Sequence, residues 1–138
     1  MAKYEKGKHI VYRCVYHVIL CTKYRIKFLK GKIRYRLFKL LREKQVEYGY
    51  KIICMEIMPN HVHILMNIRP DLQINKTIGK IKGYTSYILR QEFQFLNNYK
   101  SLWTRAKFAS SIGQISENIA LQYVKNQYKN YNKTFNKS

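Results

Sequence analysis

Lys51 to Ile68 reads KIICMEIMPNHVHILMNI, two apolar runs of strand character divided by Pro59-Asn60. Proline pre-sets φ and asparagine tolerates tight backbone, so the dipeptide predicts a turn and the flanking runs an antiparallel hairpin, Lys51–Met58 with His61–Ile68. Successive side chains of a strand point to opposite faces. Val62, Ile64, Met66 and Ile68 therefore share one face, which needs a core, while His61, His63, Leu65 and Asn67 share the other, which stays open. A two-residue turn would pair Met58 with His61 and Glu56 with His63, and would put Ile53, Met55 and Ile57 on the core side. Two imidazoles projecting together can hold one divalent ion, with the Glu56 carboxylate beside them. They can equally be an ordinary half-exposed pair, because H-x-H is a short pattern.

Working outward, Val11 to Cys21 (VYRCVYHVILC) is apolar and β-branched enough for a central strand. From Gly31 to Tyr48, the residues Ile33, Leu37, Leu40, Leu41 and Tyr48 recur at helical spacing among basic residues, and Gly49 ends the pattern. A second basic helix follows Pro70, with Ile74, Ile78, Ile81, Thr85 and Ile88 in its stripe to about Gln94. Lys107 to Gln114 (KFASSIGQ) predicts a fourth strand, and Ser116 caps a last helix with Glu117 in its first turn. The order β-α-β-β-α-β-α predicts an α+β domain of the ferredoxin-like or RRM-like kind: a four-stranded antiparallel sheet, helices on one face, and a C-terminal helix added. In that last helix Leu121, Val124 and Tyr128 form the expected core stripe. Tyr123 and Gln127 lie together on its flank, one turn apart, so a phenol and an amide oxygen face the same space.

A chain of 138 residues fits one domain, 1–138, with polar termini at 1–9 and 131–138. Its 27 Lys and Arg against seven acids give a formal charge of +20, which calls for an anionic partner, and nucleic acid is the commonest. Lys23, Arg25, Lys80, Lys82, Arg105 and Lys107 are the candidate phosphate contacts. Thirteen tyrosines could stack on bases, and any one could be a nucleophile. No apolar run approaches the roughly 20 residues of a bilayer span, and no signal peptide opens the chain, which predicts a cytoplasmic protein. Cys14, Cys21 and Cys54 lack C-x-x-C spacing and read as small apolar residues. With no cysteine near the histidines, structural zinc is disfavoured, and imidazole with oxygen donors suits Mg²⁺ or Mn²⁺ in phosphoryl chemistry. His17 has no partner at ligand spacing and reads as structural.

The ordered set Tyr16-His17-Val18, Thr22-Lys23-Tyr24-Arg25, Met58-Pro59-Asn60-His61-Val62-His63, Leu102-Trp103, Ser111-Ile112-Gly113, and Tyr123 with Gln127 spans most of the chain. In it the sequence resembles the small single-tyrosine transposases of the HUH class, the TnpA type, which move insertion sequences as single-stranded DNA with hairpin ends. The resemblance implies His61 and His63 as metal ligands, Tyr123 as nucleophile and Gln127 as a third ligand on the tyrosine helix. It also implies a homodimer in which the tyrosine helix of one subunit completes the site of the other, working in a bacterial or archaeal cell without a nucleotide cofactor. Many relatives carry Asp where this chain has Asn60, and Glu56 is a further candidate ligand from strand register alone. Two other readings share the fold: a domesticated HUH nuclease that processes genomic palindromes, and a non-catalytic single-stranded nucleic-acid-binding module. The latter needs aromatics on the open face, where this chain has histidines.

Overall fold

The structure, a computed structural model, describes residues 11–106 and 108–137, with side chains described as far as Gln127. Strands β1 (Val11–Cys21), β2 (Tyr50–Met58), β3 (His61–Ile68) and β4 (Phe108–Ser116) and helices α1 (Gly31–Glu43), α2 (Gln45–Tyr48), α3 (Ile74–Glu92) and α4 (Glu117–Lys137) follow one another as β1-α1-α2-β2-β3-α3-β4-α4. The sheet has the order β2-β3-β1-β4, antiparallel throughout. This is the ferredoxin-like α+β arrangement that the sequence predicts, with the helix at the C-terminus added.

The hairpin turn falls on Pro59-Asn60, and Met58↔His61 and Glu56↔His63 are register partners, as alternation requires. Val62, Ile64, Met66 and Ile68 are buried in the main core, together with Val18 and Leu20 of β1. Ile33, Leu37, Leu40 and Leu41 of α1 and Ile78, Ile81 and Leu89 of α3 complete that layer. Each fully buried aliphatic side chain contributes about 1.5–3 kcal/mol, so these stripes hold helices whose outer faces are dense in lysine and arginine.

The long helix expected from Gly31 to Tyr48 breaks at Lys44. Gln45 ties the break to the sheet: its Nε2 donates to the Arg42 carbonyl (3.1 Å) and its Oε1 accepts the Ile52 N–H (2.7 Å). Gly49 then stops the chain in the left-handed region (φ 76°), donating its N–H to the carbonyls of Gln45 and Val46.

Two expectations need correction. A register shift between Ile52 and Cys54 makes consecutive residues face the same way, so Ile53 and Cys54 pack on the side opposite Met55 and Ile57. Ile53 is therefore not on the helix-covered face, where strict alternation puts it. The expected core stripe of α4 is also reversed: Leu121 and Val124 are 49% and 41% exposed, whereas Ala120 is buried. Ala120 packs with Val15, Leu65 and Ile115 in a second, smaller cluster, its short side chain letting the helix approach the sheet. The Tyr128 side chain, Lys107 and residues 1–10 lie outside the described residues. The face left open in the sequence reading is thus partly roofed by α4.

Candidate active site

Three strands and one helix build the site. At the hairpin, His61 Nδ1 lies 2.7 Å from Asn60 Oδ1. An amide oxygen only accepts, so this contact selects the Nδ1–H tautomer of the neutral His61 ring, the one whose Nε2 lone pair is free. Asn60, read from sequence as a turn residue, thereby sets one imidazole. The His63 ring stands 4.8 Å from that of His61, centroid to centroid, nearly perpendicular at 83°. His63 Nδ1 in turn lies 3.2 Å from Nε2 of His17, and these two rings stack at 5.4 Å. His17, set aside in the sequence as lacking a partner, meets His63 because β1 runs antiparallel beside β3, with Ile19 opposite His63 and His17 opposite Leu65. The signal was available: the ferredoxin-like order makes β1 and β3 neighbours, but only the register decides which residues meet.

A pocket of about 340 Å³ opens between this sheet face and α4, lined by His17, Glu56 and His63 from the strands and by Tyr123 and Gln127 from the helix. Tyr123 lines this pocket and is 40% exposed. Gln127 Oε1 accepts the Met55 N–H at 2.9 Å, at the edge strand just past the bulge. A residue missed in the sequence reading is thus the Met55 amide, which holds the helix by its glutamine. His61 stands beside His63 rather than in the pocket wall. The helix that reaches this pocket belongs to the same chain.

Burial, then the neighbouring His61 and His17, hold the His63 pKa below the ordinary imidazole value, with Glu56 pulling the other way. The neutral ring is the metal-binding form. Burial, with Glu56 adding to it, pushes the Cys54 thiol up to about 11, so a thiolate is absent from this wall at neutral pH. The imidazoles of His61 and His63 with the Gln127 and Glu56 oxygens are nitrogen and oxygen donors of the kind that suits Mg²⁺ or Mn²⁺. Among the described residues no three His, Cys, Asp or Glu side chains are grouped as a metal cage. His61, His63 and Glu56 are therefore not a preformed three-ligand set, and Gln127, beside Tyr123 and Asn126 in the pocket lining, adds an amide oxygen.

The basic candidates divide. Lys23 and Arg25 flank Tyr24 in a turn at the end of β1, where Cys21 pairs with His61. Tyr24 and Arg25 both have φ of 57°, a left-handed conformation rare for such residues, and Tyr24 is 82% exposed. Thr22 anchors this turn: it is fully buried, its N–H donates to the Asn60 carbonyl (3.0 Å) and its hydroxyl to that of Ile26 (2.8 Å). Arg105 is exposed and Lys80 lies over the Tyr48 ring. Lys82 instead donates to the carbonyls of Thr104 and Ala106, both at 2.9 Å, so its ammonium braces the approach to β4. Lys107 lies outside the described residues.

Residues 10–127 match the family described as "Transposase IS200 like". The chain belongs to that family. It is 38% identical over 79 residues to the ISDra2 transposase TnpA of Deinococcus radiodurans, a match covering 57% of this chain and 56% of that protein, little more than half of its length. It is 26% identical over 122 residues to the transposase of insertion sequence element IS200 from Salmonella typhimurium, covering 86% of this chain and 80% of that one. Among solved structures, a candidate transposase from Deinococcus radiodurans superposes with a TM-score of 0.68 at 28% identity, over 89% of this chain and 97% of the other. A REP-associated tyrosine transposase bound to a REP hairpin superposes at 0.50 with 16% identity, over 81% and 62%, a likeness of fold. Among the described residues no helix is long and apolar enough to cross a membrane.

Proposed function

We propose that this IS200-like chain is a metal-dependent DNA transposase that excises and inserts an insertion sequence as single-stranded DNA with hairpin ends. The observation that carries this reading is the shared pocket of His63, Tyr123 and Gln127, residues from distant parts of the chain that meet only in the fold. In it Tyr123 is the nucleophile, His61, His63 and Gln127 hold the cation, and Glu56 supports them. When bound, Mg²⁺ or Mn²⁺ would supply positive charge where the scissile phosphate gathers negative charge. The phenolic oxygen of Tyr123 bonds to phosphorus as the bond from phosphorus to the 3′-oxygen breaks. The proton lost from the phenol is matched by the one the 3′-oxygen takes up. The products are a 5′-phosphotyrosine and a free 3′-OH, and a 3′-OH from another end reverses the step on that linkage. The ester energy is conserved, so no nucleotide cofactor is needed.

Lys23, Arg25 and the basic helices hold the DNA backbone, and bases unpaired near the cut stack on exposed tyrosines, for which Tyr24, exposed in the turn after β1, is suited. The working form is a homodimer in which each pocket, closed here by the chain's own α4, is completed by the α4 helix of a second copy, in the cytoplasm of a bacterium or archaeon and on the nucleoid when bound to DNA. Exposed Ile119, Leu121 and Val124 on α4 support a second copy there. Incubating the protein with single-stranded oligonucleotides that carry imperfect palindromes, with and without Mg²⁺ or Mn²⁺, tests the chemistry. Covalent adducts that need the ion and vanish in Tyr123→Phe support it; adducts that persist in Tyr123→Phe refute the nucleophile. Mixing His61→Ala with Tyr123→Phe protein should restore cleavage if sites are shared.

A further inference from the structure

We infer that His17 is a positioning residue that fixes His63 in its metal-binding tautomer, an assignment that rests on the proposed cation site. The 3.2 Å contact between His17 Nε2 and His63 Nδ1 carries one proton, and two arrangements are open. If His17 donates, His63 accepts on Nδ1, carries its own proton on Nε2, and has no lone pair left for a cation. If His63 donates, its Nε2 lone pair is free and His17 accepts, with its own proton on Nδ1. Only the second arrangement is compatible with His63 as a ligand through Nε2.

The neighbouring imidazole shows the same design from a different source. His61 Nδ1–H is held by Asn60 Oδ1 at 2.7 Å, which leaves its Nε2 free. Both members of the pair thus have Nδ1 engaged by an outer residue, one an amide and one an imidazole, and both offer Nε2. Outer partners of this kind orient a ligating imidazole and raise its basicity. The stacking of the His17 and His63 rings, 16° from parallel, also restricts rotation of His63 about its side chain. His17 lies on β1, in the register position diagonal to His63, so the partner comes from a strand 46 residues away and is set by the sheet rather than by the motif. Asn60 can do the same work as an acid here, because its oxygen alone is used.

Three variants and three readouts, the third being urea midpoints, test this. Mn²⁺ is titrated into the DNA-free protein and followed by electron paramagnetic resonance, and ¹⁵N shifts of the imidazoles are read in the metal-free state. In the wild type His63 should be protonated at Nδ1. His17→Phe keeps the ring and removes the acceptor, and should weaken Mn²⁺ binding about 10- to 100-fold. His17→Gln restores an acceptor oxygen and should recover most of the affinity. His17→Phe binding Mn²⁺ like the wild type, or His63 protonated at Nε2 in the metal-free wild type, overturns the assignment. Equal losses in both His17 variants, with unchanged urea midpoints, also overturn it, because rescue by an acceptor is the claim. Failure of the underlying cation site reads differently: Mn²⁺ binding would then be insensitive to His61→Ala as well.

Discussion

Trp103 is 4% exposed, and its indole Nε1–H donates to the hydroxyl of Thr85, itself 1% exposed, at 3.0 Å. Thr85→Val keeps the shape of the side chain and removes the acceptor, leaving a buried donor without a partner. The Thr85 hydroxyl also donates to the Ile81 carbonyl (2.8 Å), an acceptor inside α3, so losing that bond adds little. The cost is chiefly the desolvated indole N–H, about 1–3 kcal/mol. With an urea slope of about 1–3 kcal/mol/M, a loss of about 2 kcal/mol lowers the midpoint by roughly 1 M. Trp103→Phe is destabilising for a different reason, lost volume, but it also removes the donor. In that background Thr85→Val should be nearly neutral, so the double-mutant cycle should show a coupling of at least about 1 kcal/mol. Urea unfolding of the four proteins measures this. Additivity within about 0.5 kcal/mol would refute the reasoning, since the hydrogen bond would then carry none of the effect. The pair matters to the site because Trp103 bridges to Thr22, which holds the Lys23–Arg25 turn and the Asn60 carbonyl.

Gln127→Ala removes the acceptor of the Met55 N–H, and a net hydrogen bond of about 0.5–1.5 kcal/mol predicts roughly 2- to 12-fold faster hydrogen exchange at that amide. An unchanged rate would mean that Gln127 does not tether α4. His63 has a folded pKa below its unfolded value, so the folded state binds fewer protons and its contribution is complete above about pH 6.5. That contribution is lost as pH falls through the lowered value, and urea midpoints at pH 7.5 and 5.5 should converge in His63→Gln relative to the wild type. For DNA binding, Arg25→Ala should reduce the slope of log affinity against log salt by about 0.7–0.9, one phosphate contact, as seen by fluorescence anisotropy. Lys82→Ala should leave that slope unchanged, because its ammonium is engaged by Thr104 and Ala106.

Much of this protein is local physics. Alternation in Val62, Ile64, Met66 and Ile68, the Pro59-Asn60 turn and the stripe from Ile33 to Leu41 determine the hairpin, its buried face and the first helix, because each depends on near neighbours in the chain. The pairing of Glu56 with His63 follows from the turn length alone. Three things were decided elsewhere. The bulge at Ile52–Cys54 reversed Ile53 because one unpaired residue shifts every side chain before it, and nothing in the apolar run KIICM marks where it falls. Helix α4 turned Leu121 and Val124 outward because the sheet face beneath it carries His63 and Glu56 as well as Leu65, and Ala120, Tyr123 and Gln127 fit that mixed surface. His17 met His63 because two strands far apart in sequence lie side by side in one register. Residue types and spacing could nominate the imidazoles and the tyrosine; distance and hydrogen-bond direction between them exist only once the sheet is assembled.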